Sequence, residues 1–246
     1  MIPAQRIALL LLPAAILAIG CASSRNKEDE LLDQLANLDK ESIFEQAETL
    51  YSEKKYQDAR ELFAFVYDSF PNDPLGHKAA LRVADTYSVK KDVTNLTEAR
   101  LRYRDFANRY PNDPDRDYAL LMVGHTYSAR KLRPDRDLSD IQEALAAYEQ
   151  LINLYPNSEY MSDAESRIND LKELLAEHEY IVGQFYFKNK RFVGALWRFQ
   201  YIQENYPNFS KIETVNAKIS ELESLIEQRD AEWKKRLEDL KKSTED

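Results

Sequence analysis

The 246 residues carry 43 Asp and Glu against 34 Lys and Arg, a formal charge of −9. No basic field offsets phosphate repulsion, which argues against a general nucleic-acid binder. A single cysteine excludes an internal disulfide in the monomer, so stability must come from packing, and 15 Tyr beside 5 Gly suit helices packed through large amphipathic side chains.

The chain opens with a leader pattern. Arg6 supplies a positive n-region and Ile7 to Ile19 an apolar h-region too short for a spanning helix. The run Leu17-Ala18-Ile19-Gly20-Cys21 resembles a bacterial lipobox, in which Cys21 is lipid-modified and becomes the first mature residue; Ala18 stands where Leu is commoner. Ala22 and Ser23, with no Asp, fit sorting to the outer membrane of a Gram-negative cell, with the protein held on its periplasmic face. The expected plan is a signal peptide over 1–20, a lipid-anchored polar tether over 21–38, and amino-terminal repeats one to three over 39–158. A long bridging helix with repeat four follows over 159–210, then a capping helix and charged tail over 211–246.

Beyond the tether one unit recurs four times. Ala59, Ala99, Ala144 and Ala195 each have an apolar residue three before, an aromatic four after (Phe63, Tyr103, Tyr148, Phe199) and an apolar residue seven after. Offset eleven is always aromatic (Phe70, Tyr110, Tyr155, Tyr206), followed by Pro and Asn. These offsets trace one helical face. The small Ala admits a neighbouring helix, and Pro ends the helix because it lacks a donor and restricts the residue before it. The spacing predicts helical hairpins at 40–54 with 56–70, 75–89 with 95–110, 115–129 with 138–155, and 159–188 with 191–206, then a helix over 211–241. The fold class is all-α, a right-handed superhelical solenoid of about four to five tetratricopeptide-like hairpins. Gly183 in the long first helix of hairpin four marks a close approach or a bend. Trp233, on the charge-dense tail, is either a docking residue or incidental.

Motifs for chemistry are missing. His77, His125 and His178 are scattered without ligand spacing, and no HExxH, GxSxG, Walker loop or GxGxxG occurs. The expectation is a protein without catalytic residues, metal or cofactor. Helical-hairpin solenoids commonly hold peptides in a groove lined by their first helices. Groove candidates are Tyr51, Tyr87, Tyr118, His125 and Tyr127, each also able to serve as a repeat packing position.

The segment Leu175 to Phe192, continuing through Ala195, Arg198, Phe199 and Tyr206-Pro207, is more specific than a generic repeat. With the lipobox and the Tyr155-Pro156-Asn157-Ser158-Glu159-Tyr160 junction, it resembles the BamD family of outer-membrane assembly lipoproteins over nearly the whole mature chain. That resemblance implies a non-catalytic periplasmic subunit of the β-barrel assembly machinery. It also implies binding to the BamA-like barrel subunit's last periplasmic domain through the carboxy-terminal half, and to targeting signals of unfolded outer-membrane proteins through the amino-terminal repeats. Other machinery lipoproteins would be partners where present. Arg198 falls where the family has an arginine that supports coupling to the barrel subunit. Flanked by Trp197 and Phe199, which are expected at the barrel-subunit interface with it, Arg198 either pairs with a carboxylate there or balances Glu204 on the surface. His178 and Glu179 match the family's helix pattern and are expected to fix repeat packing as a side-chain pair. A periplasmic repeat adaptor for cell division or envelope constriction, and a secretin pilot lipoprotein, are the competing readings on the same scaffold.

Overall fold

The structure, a computed structural model, describes residues 38–129, 133–135 and 137–245. Cys21, the leader and most of the tether lie outside the described residues. Among the described residues the chain is all-α: α1 (Lys40–Ser52), α2 (Tyr56–Ser69), α3 (Pro74–Ser88), α4 (Val93–Arg109), α5 (Arg116–Ser128), α6 (Ser139–Leu154), α7 (Met161–Lys188), α8 (Phe192–Asn205) and α9 (Ile212–Glu245). Each expected helix is present; in the unit ending at Thr86 α1 packs on α2, and in the unit beginning at Tyr87 each helix from α4 to α8 packs on the next, as tetratricopeptide-like hairpins. The largest shift at an end is in α9, which runs to Glu245 rather than 241. None of the described helices is long and apolar enough to cross a membrane. Contacts divide the chain into two compact units, one ending at Thr86 and one beginning at Tyr87.

The recurring aromatic-Pro-Asn triplet makes one corner four times. Phe70, Tyr110, Tyr155 and Tyr206 each donate a backbone N–H to the carbonyl four residues back and so close their helix. Proline behind them bars the α-helical region, and all four adopt φ between −119° and −132° with ψ between 53° and 68°. The carbonyl of each then accepts from the residue three on (Asp73, Asp113, Ser158, Phe209), closing a turn with Pro at its second position. In three corners that last residue also starts the next helix. Asp73 accepts from the N–H of Leu75, Asp113 from Asp115, and Ser158 from Tyr160.

Hairpins one and four turn differently. Lys55 N–H reaches the Leu50 carbonyl and Lys54 N–H that of Tyr51; Arg191 and Lys190 repeat this on Tyr186 and Phe187. This double bond requires a left-handed residue, and Lys54 (φ 62°) and Lys190 (φ 58°) take the place where glycine is usual.

In the unit ending at Thr86, Ile43, Phe44 and Ala47 of α1 bury against α2, with Phe44 edge-on to Phe63 at 5.2 Å. Arg82 on α3 forks onto both Glu48 oxygens at 2.6 Å, reaches Asp85 at 2.8 Å and covers the Tyr51 ring at 4.1 Å. In the unit beginning at Tyr87, the signature Ala99, Ala144 and Ala195 are fully buried, as are Tyr103, Tyr148 and Phe199 four residues on. Two glycines make room for those rings. A Cβ on Gly124 would lie 2.4 Å from Tyr148, and one on Gly183 would lie 2.9 Å from Phe199. Gly183 therefore serves close packing of α7 on α8. The last core joins Tyr180, Phe199, Ile202 and Phe209 with Val215, Ile219 and Leu222 of α9. Lys211, paired with Glu177 at 2.7 Å, and Ser210, whose N–H meets Glu173 at 3.1 Å, hold the start of α9 on α7.

Candidate partner-binding surface

On α8 the offsets that bury Ala195, Phe199 and Ile202 leave Val193, Trp197 and Tyr201 together on another face, at i, i+4 and i+8. Val193 and Trp197 are 59% and 57% exposed, and the Trp197 ring stacks on Tyr201 at 5.7 Å. Ile181 and Phe185, one turn apart on α7, are also exposed. An apolar aromatic strip on the outside of one hairpin is unusual for a solvated face and suits an interface anchor.

Arg198 stands beside this strip. Its Nη1 donates to Glu179 Oε2 at 2.7 Å, and its guanidinium lies 4.9 Å from the Trp197 ring. The counter-charge is thus Glu179 across the hairpin, not Glu204. The geometry follows from antiparallel packing, which brings positions nineteen apart in the chain face to face. The half-buried pair fixes the guanidinium against the indole and leaves further donors for a partner carboxylate. Nearby, burial pushes the Tyr206 hydroxyl up to about 12, helped by Tyr201 and Glu179.

Phe199 corrects an expectation. It is wholly buried between Gly183 and Tyr180, so it shapes the surface from beneath and touches no partner. His178 and Glu179 likewise do not pair with each other. His178 Nδ1 meets the Pro134 carbonyl at 2.5 Å, while Glu179 holds Arg198. Neighbours in a helix point about 100° apart, so each fixes a different element.

The groove candidates each pack against neighbours within their own unit. Tyr51, in the unit ending at Thr86, lies beneath Arg82. In the other unit Tyr87 faces Arg102 at 5.1 Å, and Tyr118 sits between Tyr103 and Tyr160. Tyr127 is buried under Arg100, whose guanidinium is 3.6 Å from its ring. Tyr118 and Tyr127 are about 13 Å apart along α5. His125 is half-buried beside Tyr148, at 5.8 Å. Its Nε2 lies 3.0 Å from Asp163 Oδ2, but too obliquely for a hydrogen bond, and it meets no other partner among the described residues.

Burial holds the His125 imidazole below its ordinary value, against the opposing pull of Asp163; Arg167 and Lys91 lower it further. Folding therefore favours the neutral ring. Its contribution is complete above the unfolded value near 6.5 and is lost as pH falls through the depressed folded value. Thermal unfolding should show a larger drop in Tm between pH 7.5 and 5.5 for the natural chain than for His125→Gln; parallel drops would disprove this coupling.

Sequence reasoning missed two polar staples. Arg60, next to signature Ala59, donates to Thr86 Oγ1 at 2.9 Å, and Arg100, next to Ala99, to Thr126 Oγ1 at 3.4 Å. Both threonines are buried and donate back to Val83 and Val123 carbonyls. The signal was the recurrence of Ala-Arg in α2 and α4 with Thr-Tyr in α3 and α5. No group of His, Cys, Asp and Glu fit to hold a metal occurs among the described residues.

Comparison with known proteins gives a consistent result. The model of a family described as YfiO, outer membrane lipoprotein, matches residues 36–237. The outer membrane protein assembly factor BamD of Vibrio cholerae is 37% identical over 76 residues, 31% of this chain and 32% of that protein. The protein of the same name from Caulobacter vibrioides is 34% identical over 76 residues, covering 31% and 25%. That of Rickettsia prowazekii is 26% identical over 196 residues, covering 77% and 72%. The matches to the first two thus span a third or less of their length.

Proposed function

This chain belongs to the YfiO family of outer membrane lipoproteins, and on that footing we propose that it is a non-enzymatic subunit of the machinery that assembles outer-membrane β-barrel proteins. The family assignment carries the reading, and it is the reason to place the protein on the periplasmic face of the outer membrane with Cys21 as its anchor. The fourth hairpin is the docking surface for the periplasmic domain of a BamA-like barrel subunit. Trp197 and Tyr201 give a rigid aromatic anchor, and Arg198, oriented by Glu179, gives a directional charge. The amino-terminal repeats receive unfolded outer-membrane protein substrates, for which the tyrosine-bearing first helices supply contacts.

Titration of the mature chain with the barrel subunit's purified periplasmic domains tests the docking surface. Arg198→Glu sets a carboxylate beside Glu179 and should weaken binding by about 2–5 kcal/mol, the usual effect of disrupting a hydrogen-bonded charge pair at an interface. Trp197→Ala removes an exposed side chain, should leave helicity and Tm unchanged, and should weaken binding about tenfold or more. Full affinity in both variants would remove the fourth hairpin from the interface.

A further inference from the structure

Helix α9 continues well past the body it packs on. Leu222 is fully buried, yet every residue from Glu227 to Lys242 is exposed, about 24 Å of helix. The stripe that seals the core does not stop there. Val215, Ile219 and Leu222 lie within an arc of about 60° at 100° per residue, and Ile226, Trp233, Leu237 and Leu240 fall in the same arc. Trp233 and Leu240 are 60% and 62% exposed and Leu237 41%.

The charge around the stripe is ordered. Over residues 227–242, within about 90° of its centre line stand Arg229, Arg236, Lys234 and Lys241, with Asp230 the one acid; Glu227, Glu232, Glu238 and Asp239 lie farther round. A stripe this narrow is the seam of a helix–helix contact and not the broad apolar face of a helix lying in a lipid surface. Residues 226–245 hold six acidic and six basic side chains, so the segment has no net attraction to an anionic membrane. Arg229 and Arg236 recur seven residues after Leu222, where a parallel second copy would set arginine against arginine.

We propose that residues 226–242 are a docking helix for an amphipathic helix of another protein, whose apolar seam is flanked by Glu or Asp. Trp233, Leu237 and Leu240 enter that seam, and Arg229, Lys234 and Arg236 pair with its acidic edges. This surface stands apart from the fourth hairpin and does not depend on the docking proposed there.

Fluorescence anisotropy on the full mature chain tests this, using a labelled helical peptide of about four heptads with Leu in its seam and Glu on both flanks. A twin peptide carries Lys in place of every Glu. The acidic peptide should bind saturably and about tenfold or more tighter than its twin. Trp233→Ala with Leu240→Ala should abolish that binding, and Arg229→Glu with Arg236→Glu should reverse the preference, both with helicity checked by circular dichroism. Equal binding of the two peptides, binding of neither, or insensitivity to the substitutions would overturn the proposal. So would tighter binding to phosphatidylglycerol vesicles than to the acidic peptide, or a Trp233-dependent dimer in sedimentation velocity.

Discussion

Replacing Phe199 by Ala is expected to lower the unfolding free energy of the unit beginning at Tyr87 by about 3–5 kcal/mol. The ring is fully buried where α7, α8 and the corner before α9 meet, with Tyr180 edge-on at 5.8 Å and Gly183 beneath it. Gly183 has no side chain, and Tyr180 is held by Phe209 on its other side. Phe199→Leu should cost less, because most of the volume remains. Urea unfolding followed by circular dichroism reads both variants. A loss under about 1 kcal/mol for the Ala variant would mean that the site collapses and that the glycine does not define it.

Gly124→Ala should destabilise by about 1–3 kcal/mol although the exchange lies within a helix. In an open helix it would stabilise by up to about 1 kcal/mol, so the sign itself is the test. The added Cβ would lie 2.4 Å from the Tyr148 ring. That ring is fully buried, and its hydroxyl is tied to Ser128 at 2.9 Å, so it has nowhere to move. Burial also pushes this hydroxyl up to about 12. In a Tyr148→Leu background the ring is gone, and Gly124→Ala should become neutral or stabilising. A double-mutant cycle in denaturant measures this; additivity of the two changes would show that the contact does not govern the close approach of α5 and α6.

What could be read from sequence was what the chain encodes locally. The four corners depend on an aromatic, a proline and an asparagine in succession, and the proline imposes its geometry without help from tertiary structure. The buried faces followed from offsets within single helices. The same register already set Phe199 at offset four beside Phe63, Tyr103 and Tyr148, all of them fully buried. Placing it at an interface went against that register. The Arg198–Glu179 and Arg82–Glu48 pairs were hidden because they join residues 19 and 34 apart, and many carboxylates competed as partners. Lys54 and Lys190 gave no turn signal, since the left-handed position they fill normally announces itself as glycine.

In the unit beginning at Tyr87, each helix from α4 on packs on its neighbour in the chain, and this has a kinetic consequence. Few contacts require distant segments to find one another, so loop-closure entropy is small and folding should be fast for the protein's length. A hairpin can nucleate wherever its corner and its turn first close, then recruit the next. For an outer membrane lipoprotein, such order-independence lets structure begin before the carboxy-terminal end is in place.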